Sequence, residues 1–150
     1  MQIAFESPNQ SEVIALIDAL DAYQKPLYPA ESHHGIDLST LSESTILFAV
    51  ARNTASKAVG CAALCLNDSY AELKRMYVAP EYRGQGIGTQ LMAFLETSAF
   101  QKGYRQLMLE TGYLQTAALN LYQRCGYIRR TPFGNYIEDP NSVFMEKRLI

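Results

Sequence analysis

The chain has 150 residues, 48% of them apolar, with 13 Lys and Arg against 15 Asp and Glu and a net charge of -2. That length and apolar fraction suit a single domain spanning 1–150, with a core that needs neither disulfides nor metal. The charge balance gives no basic field for nucleic acid or an anionic membrane. The longest apolar runs fall far short of the roughly 20 residues of a membrane span, and no basic segment with an apolar run opens the chain, so a cytoplasmic protein is expected.

In chain order, residues 2–6 suggest a short strand, and Val13, Ile14, Leu16, Ile17 and Leu20 then recur at helical spacing behind a polar start. Two prolines and a glycine in residues 25–35 end that helix in an irregular segment. Residues 46–51 and 59–66 read as an antiparallel hairpin, and a turn at Asn67 to Ser69 leads to a strand over 70–78. A glycine-rich loop follows, then a helix with Leu91, Met92, Phe94 and Leu95 on its apolar side, closing near Gly103. A strand over 106–110, a helix over 115–124 stopped at Gly126, and strands over 127–130 and 142–147 complete a mixed α/β domain. Cys61, Cys65 and Cys125 sit in apolar segments and read as buried thiols. Adjacent residues of an extended segment point opposite ways, so His33 and His34 make a poor metal pair, and no metal site is expected.

The strongest chemical signal is the run from Val78 to Thr89, where a strand end passes through Arg83, Gly84, Gln85, Gly86, Ile87 and Gly88 into an amphipathic helix. Glycines let backbone N–H groups approach phosphate oxygens, the helix N-terminus adds unpaired donors, and Arg83 adds a fixed cation. A Walker loop would need a lysine after the last glycine, where Thr89 stands, and in a dinucleotide fingerprint the third glycine would come one position later. A diphosphate reached through another motif is the reading that remains.

Residues 83–88 resemble the Arg/Gln-x-x-Gly-x-Gly/Ala signature of the GNAT superfamily of N-acetyltransferases, and residues 121–127 resemble its second motif, Leu-Tyr-x-x-x-Gly-Phe/Tyr. The resemblance implies a mostly antiparallel mixed sheet, splayed between the fourth and fifth strands and flanked by helices. It further implies acetyl-coenzyme A as cosubstrate, with no metal. The pyrophosphate would lie on the amides of residues 83–88 and at Thr89, and the pantetheine along Met76, Tyr77 and Val78, with Gln115 and Asn120 as further contacts. Gln115 stands where many members have Asn. Tyr122 matches the tyrosine that protonates the departing thiolate, against its alternative as a core aromatic. Glu72, on the reactive strand, is preferred as general base with Glu110 as competitor, although a strand-edge glutamate paired with Lys74 or Arg75 would look the same in sequence. Pairing of members through their sheets makes a homodimer a further expectation.

The runs at 27–32, 72–78, 132–136 and 139–147 resemble a bacterial subgroup of small single-domain members. Lys74 and Arg75 beside the reactive strand, with Tyr28 and Tyr136 on flanking loops, suit a small primary amine that also bears a carboxylate. Strand alternation would turn only one of the two cations inward. Acetylation of protein lysines or N-termini, and acyl-CoA binding without catalysis, are the competing readings.

Overall fold

The computed structural model describes residues 1–29 and 45–150. In chain order it forms β1 (Gln2–Phe5), α1 (Ser11–Gln24), a 3-10 turn (Lys25–Leu27), β2 (Ile46–Arg52), β3 (Ala58–Leu66) and β4 (Ala71–Val78). A second 3-10 turn (Pro80–Tyr82), α2 (Ile87–Gln101), β5 (Gln106–Gly112), α3 (Thr116–Arg124), β6 (Ile128–Arg130) and β7 (Ser142–Arg148) follow. His33 and His34 lie outside the described residues. The strands make one sheet in the order β1-β2-β3-β4-β5-β7-β6, antiparallel at every pair except β4–β5. No helix among the described residues is long and apolar enough to cross a membrane.

Strand alternation sorts the apolar residues into two layers. Ala49, Ala51, Leu107, Leu109, Val143 and Met145 pack with Ile87, Leu91, Met92 and Leu95 of α2 and with Tyr122 of α3. Phe48, Val50 and Ala63 point the other way, against Val13, Leu16, Ile17 and Leu20 of α1. Each fully buried side chain of this kind contributes about 1.5–3 kcal/mol, so both faces of the sheet hold their helices firmly. On the α1 side, however, the helix covers only one half of the sheet. The other half is covered by the loop after β6, whose Phe133 packs on Met108 of β5 and Phe144 of β7. A recess is left between α1 and this loop, over β4 and β5.

Two departures from regular sheet shape that recess. β4 and β5 pair only at Ala71 with Leu107, Glu72 with Met108 and Leu73 with Leu109, although β4 runs on to Val78 and β5 to Gly112. The expected splay between the fourth and fifth strands is therefore present. On its other edge β4 pairs Lys74 with Ala63 and Tyr77 with Cys61, so that Arg75 and Met76 together oppose Ala62. This is a β-bulge, with Arg75 in the left-handed region at φ 58°. Cys61 is buried as expected, whereas Cys65 and Cys125 are only partly so.

Candidate active site

Two cavities occupy the splay. The first, of about 280 Å³, lies in the recess and is lined by Glu72, Lys74 and Arg75 of β4, Glu110 of β5, Tyr28, Tyr136, Lys25 and Asp21, with Tyr122 reaching it from α3. The second, of about 230 Å³, runs from Tyr77 and Val78 past Arg83, Gly84, Gly86, Ile87, Gly88 and Thr89, with Ala117, Leu121 and Arg124 of α3 as its far wall. Leu20, Met76 and Gln115 line both. The cavities therefore meet at the bulge.

The second cavity has the character of an anion cradle. Gly84 and Gly86 hold φ of 78° and 82°, which turns the chain into α2 without a side-chain cap on its first amides. Among the described residues, no acceptor takes the N–H groups of residues 84–89. Of these residues Gly84, Gly86, Ile87, Gly88 and Thr89 line the cavity, where the positive end of α2 adds to their donors. Arg83 is anchored beside them, its Nε donating to the Val78 carbonyl at 2.8 Å and its guanidinium 5.4 Å from the Tyr77 ring. Gly88 has a different task, since a Cβ there would stand 3.0 Å from Leu121 Cδ2: it lets α2 and α3 approach closely. The Ala79 N–H bonds to the Val59 carbonyl at 2.9 Å. Amides alternate along a strand, so the Val78 N–H points away from β3 into the splay.

The first cavity carries the titratable groups. Glu72 is buried, 6% exposed, and burial pushes its carboxyl above the usual carboxylate range against the opposing pull of Lys74 and Tyr136. Tyr136 Oη donates to Glu72 Oε2 at 2.6 Å, and Lys74 Nζ stands 3.7 Å from the same oxygen. Tyr122 is buried, and desolvation raises its hydroxyl, with smaller contributions from Cys125 and Glu110, so it stays protonated at neutral pH. Among the described residues its hydroxyl takes no hydrogen-bond partner, and the ring is fixed edge-on to Tyr127. Glu110 accepts from Ser142 Oγ at 2.8 Å. The hydroxyl end of Tyr28 abuts Gly112, its oxygen accepting from the Leu114 N–H at 3.1 Å, and Gln24 donates to the Gln115 side chain at 3.4 Å.

The expectation that alternation would turn only one of Lys74 and Arg75 inward is corrected, because both line the cavity. The bulge breaks the two-residue period between them, and Arg75 is tied to Asp21 of α1 by an ion pair. Two expected coenzyme contacts are not brought to the cradle: Gln85 and Asn120 are both exposed and line neither cavity. Arg124, Tyr23, Lys25 and Asp21 escaped the sequence reading. Only Arg124 carried a signal, a cation two positions after Tyr122 at the end of the same helix.

The acetyltransferase (GNAT) family model matches residues 14–127. The chain belongs to the GNAT family of acetyltransferases. It is similar almost from end to end to the IAA acetyltransferase of Azospirillum brasilense, 46% identical over 149 residues that cover 98% of this chain and 97% of the relative. An uncharacterised N-acetyltransferase of Bacillus subtilis strain 168 is 32% identical over 152 residues, covering 99% and 100%. A crystal structure of a Klebsiella pneumoniae protein assigned as an acyl-CoA N-acyltransferase superposes with a TM-score of 0.88 at 43% identity, covering 99% of this chain and 97% of that one. An aminoglycoside 6'-N-acetyltransferase complexed with coenzyme A shares the fold, with a TM-score of 0.74 at 18% identity over 100% and 98%.

A GNAT N-acetyltransferase draws its acyl group from acetyl-CoA, and the cradle of this GNAT chain suits that cosubstrate. Unbonded amides at a helix start, an anchored arginine and a mostly apolar far wall match a diphosphate followed by a largely uncharged arm.

Proposed function

We propose that the protein acetylates the amino group of a small molecule that also carries a carboxylate, in one step within a ternary complex. The observation that carries this reading is the meeting of the two cavities at Met76 and Gln115, with Glu72 and Tyr122 both lining the acceptor side. Bound acetyl-CoA supplies an activated acyl group, whose transfer forms a C–N bond and breaks a C–S bond. Glu72 takes the proton from the acceptor nitrogen, directly or through water, and its raised carboxyl makes it a better base than an exposed glutamate. The Val78 N–H, turned into the splay, offers a donor where negative charge develops on the carbonyl oxygen. Tyr122 gives its proton to the departing sulfur, a role suited to a phenol kept protonated by burial.

The acceptor class follows from charge. Lys25, Lys74 and Arg75 stand against Asp21, Glu72 and Glu110 around the first cavity. A balanced lining of this kind fits a zwitterion better than a polyamine, and a cavity of about 280 Å³ fits a small molecule better than a folded protein surface. The name of the Azospirillum relative adds IAA to the compounds worth testing.

The test is thiol release from acetyl-CoA across a panel of amino acids, aromatic amines, polyamines, lysine peptides and IAA, with Tyr122→Phe as control. Turnover on small carboxylate-bearing amines that collapses in the variant is expected. Preference for lysine peptides would overturn the acceptor class, and tight coenzyme binding without turnover on any compound would overturn the catalytic reading.

A further inference from the structure

The reaction needs a carboxylate that is buried, ionised and aimed, and burial alone opposes the second requirement. Glu72 lies between Ala71 and Leu73, both 3% exposed or less, on the central strand. The groups around it differ in which oxygen they reach. The Tyr136 hydroxyl and the Lys74 ammonium both converge on Oε2, at 2.6 and 3.7 Å. Oε1 accepts no hydrogen bond from the described residues, while Glu72 lines the acceptor cavity. The two oxygens are thus divided, one held by the protein and one left for the acceptor.

Tyr136 is placed independently of Glu72. Its N–H bonds to the Phe133 carbonyl at 3.0 Å, and its ring packs 5.1 Å from Phe133 and 5.4 Å from Phe144. The turn carrying it rests on Tyr70, since a Cβ on Gly134 would come within 2.6 Å of the Tyr70 hydroxyl. Lys74 in turn lies 5.4 Å from the centroid of the Tyr136 ring, so the tyrosine also fixes the ammonium that faces Oε2.

We propose that Tyr136 is a positioning residue, which grips Oε2 of Glu72 through its hydroxyl, steers Lys74 with its ring, and so leaves Oε1 directed at the acceptor nitrogen. This rests on Glu72 being the base, and it changes the role of Tyr136 from contacting substrate to holding the group that does the chemistry. The other titratable groups facing Glu72 are Cys65 of β3, Tyr70 just before β4 and Glu110 of β5, with Arg75, Lys25 and Asp21 across the cavity. Cys65, whose thiol is pushed up to about 12 by burial, is neutral through the working range and adds no charge.

The hydroxyl favours the ionised carboxylate, so its removal raises the Glu72 carboxyl further. The test is the pH profile of kcat/KM for Tyr136→Phe, which keeps the ring and its packing. The acid limb is expected to move to higher pH by about half to one unit, the scale of one lost hydrogen bond. Coenzyme affinity should stay within about twofold of the parent, because Tyr136 lines only the acceptor cavity. Lys74→Met, read the same way, is expected to move the limb in the same direction. An unmoved limb, whatever the change in overall activity, would overturn the proposal. Glu72→Gln separates the two layers: full activity in that variant defeats the base assignment itself, whereas its inactivity with an unmoved limb in Tyr136→Phe defeats only the positioning role.

Discussion

Tyr122 shows how much of a residue's chemistry comes from where the chain places it. In sequence it is one tyrosine of ten, and in the fold it leaves the α2-side core, where its ring meets Tyr127, to reach the acceptor cavity where β4 and β5 part. Tyr122→Phe should therefore lower kcat by about 10²- to 10⁴-fold, the usual range for a lost general acid, without changing the Kd for coenzyme A. Steady-state kinetics and calorimetry check the two halves of that statement separately. Burial holds the hydroxyl above its ordinary value, so Tyr122 should impose no alkaline limb below pH 10. Arg83 and Tyr122 stand out in the sequence because two motifs mark them, and Glu72 because it lies on the strand that leads into the first motif. Lys25 and Asp21 do not, since a helix end reveals nothing about which strand it will face. The inward turn of both Lys74 and Arg75 was hidden too. Their run, Glu-Leu-Lys-Arg-Met-Tyr-Val, contains no glycine or proline to announce a bulge.

At the scale of elements, the cradle depends on the turn that feeds α2. Gly84 has open space around its Cβ position, so a substitution there acts through the backbone alone. Alanine at φ 78° costs about 1–2 kcal/mol, and relief of that strain would rotate the amides away from their common target. Gly84→Ala is thus expected to weaken coenzyme A binding about 10-fold, measured by calorimetry, with a loss of Tm of no more than a few degrees. A loss of stability with unchanged affinity would show that the glycine serves only chain reversal. The elements themselves were largely readable: strand, loop and helix around the glycines fall where hydrophobic period and capping put them, and only their ends shift by one or two residues. β5 runs to Gly112, beyond the expected end at Glu110, because its last residues pair with β7, a long-range contact that a local pattern cannot report.

Across the whole molecule, the far edge of the sheet is tied to α1 by charge. Arg52 of β2 donates to both oxygens of Glu6 at 2.8–3.3 Å and also pairs with Glu12 in the first turn of α1. The hydrogen bond from Arg52, more than any other cause, holds the Glu6 carboxyl below its ordinary value. A carboxyl depressed on folding stabilises the fold above its unfolded pKa, near 4.5, and that contribution fades as pH falls through the lower folded value. Arg52→Gln should lower Tm by about 2–4 °C at pH 7, with the difference shrinking below pH 4, as thermal denaturation across that range will show. Charge alone could not have announced this tie, because Glu6, Glu12 and Arg52 meet only once the strand order is known.

The parting of β4 and β5 leaves a row of backbone donors and acceptors that no neighbouring strand satisfies. Sheet proteins ordinarily hide such an edge, since any extended chain can add to it. Here the edge lies within the sheet, in a slot bounded by α3 on one side and α1 on the other. Besides the outer edges of β1 and β6, the protein thereby holds an unpaired edge inside its own sheet, and the reading of the splay as the coenzyme slot gives those donors and acceptors an extended partner.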